Sequence, residues 1–195
     1  MNFVLSVRSI QVINTQRYMK DIQSEWLFCR STDNVTNLYG TLAESLEEVD
    51  LDHTVSMFHA HLDSTSEEEI PTSFIDPAST VRCLITTIAF GLGMQIPDAK
   101  YVIHWGPPTS VLDYWQEVGR CARDGTPGEA ILYTPPYSLH PSKKIDQLML
   151  DIIKLDKNSC LRKSILQALK VDDIEMGDIE SCCGTDRCCS HCDIL

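Results

Sequence analysis

Residues 81–136, VRCLITTIAFGLGMQIPDAKYVIHWGPPTSVLDYWQEVGRCARDGTPGEAILYTPP, contain three of the short apolar runs that decide the fold. The runs are 81–86 (VRCLIT), 101–104 (YVIH) and 130–133 (AILY), and two others precede them at 26–29 (WLFC) and 55–58 (VSMF). Most are continuous rather than alternating, which is typical of strands buried on both faces of a parallel sheet.

Helical patterns lie between several of these runs, at residues 33–48, 64–75 and 109–121. Ser31 or Thr32 is a candidate N-cap for the first helix. Ser66 and Glu69 have capping-box spacing in the second, although Pro71 disturbs its pattern. Strands that alternate with helices predict an α/β fold, an open parallel sheet with flanking helices.

The chain changes character after Pro135 and Pro136. Two more helical patterns follow, at 143–156 and 160–170, and an acidic stretch from Asp172 leads to a cysteine-rich end. We therefore predict a sheet domain over 25–137 and a helical, cysteine-bearing module over 138–195. We assign no element to residues 1–24.

The composition restricts the partners. The net charge is −12, and no Lys or Arg lies between Arg30 and Arg82, whereas the stretch from Lys143 to Lys170 is locally basic. A basic footprint over the whole chain is absent, so any DNA contact must depend on backbone amides, helix N-termini and a few local cations. No apolar run approaches the roughly 20 residues that cross a bilayer, so we expect no membrane association, and we recognise no signal peptide.

Two loops are candidates for chemistry, and we expect both at the carboxyl ends of the strands, where open parallel sheets bind ligands. Residues 86–98 combine hydroxyls with a G-x-G that lacks the third glycine of a dinucleotide fingerprint. In the second loop, Gln116, Arg120 and Arg123 have helical spacing that suits phosphate oxygens. The alternative is a pair of surface arginines bound to Glu117 and Asp124.

The stretch 86–133, from TTIAFGLG through YVIH to QEVGRCARDG and AILY, closely resembles motifs V to VI of RecQ-family DNA helicases. LFCRS at 27–31 resembles motif IV, and FHAHL at 58–62 resembles the family's YHAGL. The resemblance covers roughly residues 25–136, with the motifs in order. The region from Cys160 is similar to the zinc-binding subdomain that follows in these proteins.

The resemblance implies the second of two RecA-like lobes of an ATP-dependent helicase that translocates 3′ to 5′ on DNA, acting in repair and recombination in the nucleus. Arg123 corresponds to the arginine finger that reaches ATP and magnesium on the first lobe, with Arg120 and Gln116 in the same motif. Arg30, Ser31, His59 and Thr87 would lie near the path of single-stranded DNA or an unwinding junction. The residues that would couple the nucleotide cleft to DNA are Thr87, Ala89, Phe90, Gly91 and Gly93.

Several positions depart from the family pattern. Gln95 stands where the family often has Asp, Ala122 replaces a motif VI glycine, and His61 replaces the glycine of YHAGL. We expect Ala122 to crowd a turn. The chain contains neither a GxxxxGK[ST] phosphate loop nor a DExH-type sequence, both of which belong to the first lobe. The sequence thus resembles the back half of a helicase, unable to hold ATP alone, with a first lobe as a candidate partner in trans.

The cysteines suggest a structural zinc site, with a thiol-rich disordered tail or disulfides as alternatives. Five of the nine cysteines lie after residue 181, and Cys189-Ser-His-Cys192 has the tight spacing of zinc ligand pairs. Cys160 would be a third ligand and Cys182 or Cys183 the fourth, with His191 as a substitute. Cys29 and Cys83 are interpreted as core residues, and His53, His104 and His140 as ordinary surface or strand-end residues.

Three functions follow from these patterns. The first is the motor lobe of a RecQ-like helicase, and the second is a non-catalytic fragment that binds DNA or a partner protein. The third is a zinc-dependent interaction domain without motor ancestry, which the motif V to VI match disfavours.

Overall fold

The structure is a computed structural model that describes residues 3–8, 25–47, 52–59, 62, 64–76, 78–87, 99–122, 125–170 and 188–192. Its strands are β1 (Phe3–Arg8), β2 (Glu25–Cys29), β3 (Val55–Phe58), β4 (Cys83–Thr87), β5 (Tyr101–Trp105) and β6 (Gly128–Tyr133). Its helices are α1 (Thr32–Glu47), α2 (Ser64–Ile75), α3 (Val111–Val118), α4 (Gln147–Ile153) and α5 (Leu161–Ala168). Short 3-10 turns lie at Asp52–Thr54, Pro136–Leu139 and Pro141–Lys143.

The six strands form one parallel sheet in the order β1-β6-β5-β2-β4-β3. This confirms the open parallel sheet with flanking helices that the apolar runs predicted. Strand β1 lies within residues 1–24, to which we assigned no element, and it pairs with β6 from Phe3 opposite Gly128.

Alternate side chains of the strands build two apolar layers. One face of the sheet packs against α1, with Leu27, Val35 and Ile85 among its buried residues. The other face holds Trp26 and Phe28 and packs against α2 and α3. Because both faces are covered, the central strands must be apolar at every position, which explains their continuous runs.

The two helices after residue 137 share the second of these layers. Met149 and Ile152 of α4 and Leu161 and Ile165 of α5 are buried in the same cluster as Trp26. The helical segment therefore packs on the sheet through a common core. The division of the chain into domains at 25–137 and 138–195 stays a prediction.

Local chemistry explains where the helices begin. The Ser31 hydroxyl oxygen accepts the Asn34 N–H at 3.3 Å, as the candidate cap required. Helix α2 begins at Ser64, so the expected capping box at Ser66 and Glu69 is wrong, and Pro71 lies inside the helix. The Asp146 carboxylate accepts the Met149 N–H at 2.6 Å and so caps α4. None of the helices in the described ranges combines the length and apolar character that crossing a bilayer requires.

Candidate functional site

Four of the residues that motif resemblance placed near DNA lie together at the carboxyl edge of the sheet. Arg30 and Ser31 follow β2, Thr87 ends β4, and His59 follows β3. The strands are neighbours, and their last residues pair in register, Cys29 with Thr87 and Phe58 with Thr86. Parallel pairing therefore brings residues from distant parts of the chain to one edge.

Arg30 is tied to the loop between β5 and α3. Its guanidinium donates to the Pro107 carbonyl oxygen and to the Thr109 hydroxyl at 3.4 Å. Burial lowers the pKa of Arg30, while the carboxylates of Glu117 and Asp113 act in the opposite direction. An always-charged, half-buried guanidinium at this edge, with N–H donors beyond these two bonds, can contact a phosphate oxygen.

The other three residues at this edge differ in exposure. The Ser31 side chain is exposed, and its oxygen already serves α1 as a cap. His59 is only 8% exposed. Thr87 is half-buried, and its carbonyl accepts the Thr86 hydroxyl at 3.2 Å. Arg30 and Ser31 are thus the side chains of this set that a polyanion can reach most directly.

The motif VI residues lie elsewhere, and here our expectation was wrong. Cys121 forms a bridge with Ala99, which precedes β5, so the turn after α3 reaches the amino edge of the sheet. The reason is topological, because a helix that follows a parallel strand returns toward the edge where the next strand begins. Helix α3 ends at Val118 with Gly119 as its cap, so Arg120 belongs to the turn rather than to the helix.

Two motif VI side chains have defined surroundings. Gln116 is exposed on the last turn of α3. The Arg120 guanidinium carbon lies 5.8 Å from the centre of the Trp26 ring, a cation–π distance. A planar cation that stacks on a buried aromatic ring has a restricted set of positions, which suits a group that must meet a phosphate at a fixed point.

The turn that carries Arg120 is tightly built. Ala122 has a φ of 53°, in the left-handed region that favours glycine and costs other residues roughly 1–2 kcal/mol. The expected crowding at this departure from the family pattern is therefore mainly backbone strain. Ala122 is 6% exposed, and its N–H donates to the Ala99 carbonyl at 3.0 Å.

A buried polar pair was missed by the sequence analysis. His104 Nε2 lies 2.6 Å from Glu117 Oε2, and the two side chains are 1% and 8% exposed. We interpreted His104 as an ordinary surface or strand-end residue; it does lie near the end of β5, but its burial rules out the surface position. Glu117 had been considered only in the alternative that pairs it with surface arginines. The available signal was the spacing of two between Val102 and His104, because residues two apart on a strand lie on the same face.

Several predicted site residues lie outside the described residues and stay predictions. They are Arg123, Ala89, Phe90, Gly91, Gly93 and Cys182.

Four cysteines converge beyond the sheet. The sulfur atoms of Cys160, Cys188, Cys189 and Cys192 all lie within 4.8 Å of one another. The Sγ–Sγ distance is 3.6 Å for Cys160 with Cys188 and also 3.6 Å for Cys189 with Cys192. All four are free thiols. Three of the expected ligands, Cys160, Cys189 and Cys192, are thus brought together, and the fourth sulfur of the group belongs to Cys188. Cys182 and Cys183, the two candidates for the fourth ligand, lie outside the described residues.

Local structure fixes this cluster against α5. Cys160 is the N-cap of α5, where its sulfur accepts the Lys163 N–H. His191 Nδ1 lies 3.0 Å from the Ser159 carbonyl oxygen, so this histidine holds the tail to the start of α5 and stands outside the four-sulfur group. Burial, followed by the neighbouring thiols, raises the pKa of Cys192 to about 12.

Comparison with known proteins identifies the family of this chain. Residues 11–125 match the family model of the helicase conserved C-terminal domain. The chain is 30% identical over 157 residues to the ATP-dependent DNA helicase RecQ of Pasteurella multocida, a match that covers 80% of this chain. It is 26% identical over 152 residues to the mouse bifunctional 3′-5′ exonuclease/ATP-dependent helicase WRN, covering 69% of this chain. The chain spans only 22% and 10% of these two relatives.

Solved structures agree on the fold. The C-terminal domain of the DEAD-box protein Dbp5 superposes with a TM-score of 0.58 at 23% identity, covering 77% of this chain and 82% of that one. The Escherichia coli DEAD-box protein SrmB gives a TM-score of 0.56 at 19% identity, covering 74% and 84%. The parallel sheet is therefore a RecA-like lobe, and the chain belongs to the helicase conserved C-terminal domain family, as a C-terminal lobe of the RecQ type.

Proposed function

We propose that this chain acts as the second motor lobe of an ATP-dependent helicase that moves 3′ to 5′ on DNA. The observation that carries the proposal is the motif VI turn. A family match extends through it to residue 125, and the turn holds Arg120 over a buried ring at the edge of the sheet opposite Arg30. One edge is thus suited to the nucleotide and the other to the nucleic acid.

In this proposal Arg123 is the arginine finger, and Arg120 and Gln116 support it. A first lobe would hold ATP and magnesium, and the finger would stabilise the charge that develops on the transferred phosphoryl group. Such an arginine contributes roughly 10³–10⁵ in rate. The chain's own sequence contains no GxxxxGK[ST] segment, so by itself it should hydrolyse no ATP.

The opposite edge would contact DNA. Several relatives carry DNA helicase in their names, among them the RecQ-like DNA helicase BLM of Xenopus laevis, 34% identical over 109 residues. Arg30 and Ser31 offer a cation and a hydroxyl there, with His59 and Thr87 beside them. Thr87 and residues 89–93 would couple the state of the bound nucleotide to DNA binding at this edge. The net charge of −12 opposes tight binding by this lobe alone.

We further propose that the four-cysteine cluster holds a structural zinc ion. The residues fit, because zinc–sulfur bonds of about 2.3 Å in a tetrahedron place the sulfurs about 3.8 Å apart. The Sγ–Sγ distances of 3.6 Å and the 4.8 Å limit of the group agree with that spacing. Bound zinc would supply no catalytic chemistry and would tie residues 188–192 to the start of α5.

A non-catalytic role is the second candidate, in which the lobe binds DNA or a partner protein without driving turnover. The deciding experiment measures single-stranded-DNA-stimulated ATP hydrolysis by the chain alone and by the chain joined to a RecQ first lobe. We expect turnover only in the joined protein, above that of the first lobe alone. No gain over the first lobe would support the non-catalytic role.

A further inference from the structure

A small polar group lies in the apolar core between β5 and α3. His104 and Tyr114 are 1% and 0% exposed, and Glu117 is 6% exposed. Phe28 stacks on the His104 ring at 5.5 Å between ring centres, and Tyr114 meets it edge-on at 5.1 Å. The bond between His104 Nε2 and Glu117 Oε2 measures 2.6 Å.

The hydrogen bonds of this group are incomplete within the described residues. Among the described residues, none hydrogen-bonds to His104 Nδ1, Glu117 Oε1 or the Tyr114 hydroxyl. Buried polar atoms without partners are costly, and apolar side chains of similar size often replace a buried pair without loss. A buried pair of this kind holds β5 and α3 in one geometry, which apolar packing of the same volume does not require.

Glu117 is joined directly to the motif VI turn. Its backbone carbonyl accepts the N–H of Gly119 and, at 3.2 Å, the N–H of Arg120. The Arg120 guanidinium then lies over the Trp26 ring. Any shift of Glu117 toward or away from β5 must therefore move the start of the turn. The same carboxylate also acts on Arg30 at the other edge.

Building on the proposed function, we propose that Glu117, held by His104, is a positioning residue that sets the place of Arg120 for reaction at the nucleotide. The residue touches neither nucleotide nor DNA. It acts by pinning the last turn of α3 to β5, so that the guanidinium stays on the Trp26 ring. A misplacement of about 1 Å in such a constellation lowers turnover by as much as about 100-fold.

The first test uses the chain alone, labelled with 5-fluorotryptophan. The chain has three tryptophans, and a Trp26→Phe variant assigns the ¹⁹F signal of Trp26. Arg120→Ala gives the signal of a ring without its cation. We expect Glu117→Gln to move the Trp26 signal toward that reference and the exposed control Glu44→Gln to leave it unchanged. A Trp26 signal in Glu117→Gln identical to wild type, where Arg120→Ala moves it, would overturn the proposal.

The second test measures ATP turnover by the chain joined to a RecQ first lobe. Glu117→Gln and His104→Gln should each lower kcat about 10- to 100-fold with little change in KM for ATP. The double variant should lose little more than the worse single one, because both substitutions weaken the same interaction. Positioning would be refuted if the kcat losses of the two single variants multiplied in the double variant. It would also be refuted if each loss only equalled the fraction of that variant that is unfolded. If the joined wild-type protein hydrolysed no ATP, the proposed function would be refuted. The ¹⁹F experiment on the chain alone would still decide whether Glu117 positions Arg120.

Discussion

Gly128, the first residue of β6, is a site where one methyl group should be costly. A Cβ there would lie 2.7 Å from the Lys100 carbonyl oxygen, 2.8 Å from Cys121 Sγ and 2.9 Å from Ala122 Cβ. Optimal carbon contacts are about 3.5–4.0 Å, so the groups must move by several tenths of an ångström or more. The nearest atom is backbone and cannot rotate away, and the other two belong to the motif VI turn.

The expected loss for Gly128→Ala follows from these contacts. Overpacking of a tight site costs about 1–3 kcal/mol. The smaller entropy of the unfolded Ala chain returns about 0.4–1 kcal/mol. The midpoints of these ranges give a net destabilisation of about 1.3 kcal/mol, and at about 2–4 °C per kcal/mol for this chain length the melting temperature falls by roughly 3–5 °C.

The matched control is Gly40→Ala in the interior of α1. A Cβ there meets nothing within 4 Å. Alanine in place of a helical glycine should raise the free energy of unfolding by about 0.5–1 kcal/mol. Urea unfolding of the reduced protein compares the two variants. If Gly128→Ala were as stable as wild type, or if the two substitutions changed stability alike, the close approach around Gly128 would be refuted.

Two further predictions concern the metal and DNA. The wild-type chain should bind about one zinc ion, measured by metal analysis under reducing conditions. Cys188→Ala should abolish this binding, and the control Cys29→Ala should retain it. Zinc-free wild-type protein would refute the site. Binding of single-stranded DNA by the chain alone should be weak and should fall with salt. For each contacted phosphate, the base-ten logarithm of the association constant should fall by about 0.7 for every tenfold rise in salt concentration. Tight, salt-insensitive binding would point instead to a stacking surface.

The sheet could be predicted because its chemistry is local. A strand covered on both faces needs apolar residues throughout, so 26–29 and 101–104 are recognisable from composition and length. Strand β1 was missed, because an edge strand is defined by its partner, and its pairing with β6 spans more than a hundred residues. The capping box of α2 was misassigned because Ser66 and Glu69 have the right types and spacing, whereas the helix already begins at Ser64.

The site was predicted less completely, for reasons that are tertiary. Residue type could identify Arg120, yet the edge of the sheet on which it lies depends on the path of α3. Cys188 and Cys189 are adjacent and chemically identical, and their burial in one cluster came only with the packing of the tail on α5. The burial of His104 depends on Phe28 and Tyr114, which arrive from other elements.

The central claim, that this lobe supplies an arginine finger, is tested most directly by one substitution. The measurement is DNA-stimulated ATP turnover by the chain joined to a RecQ first lobe, wild type against Arg123→Ala. The account predicts a loss of roughly 10³–10⁵-fold, about 4–7 kcal/mol of transition-state stabilisation, with no rescue by Arg123→Lys, which lacks the planar guanidinium. Equal rates for wild type and Arg123→Ala would show that Arg123 is a surface residue and would contradict the claim.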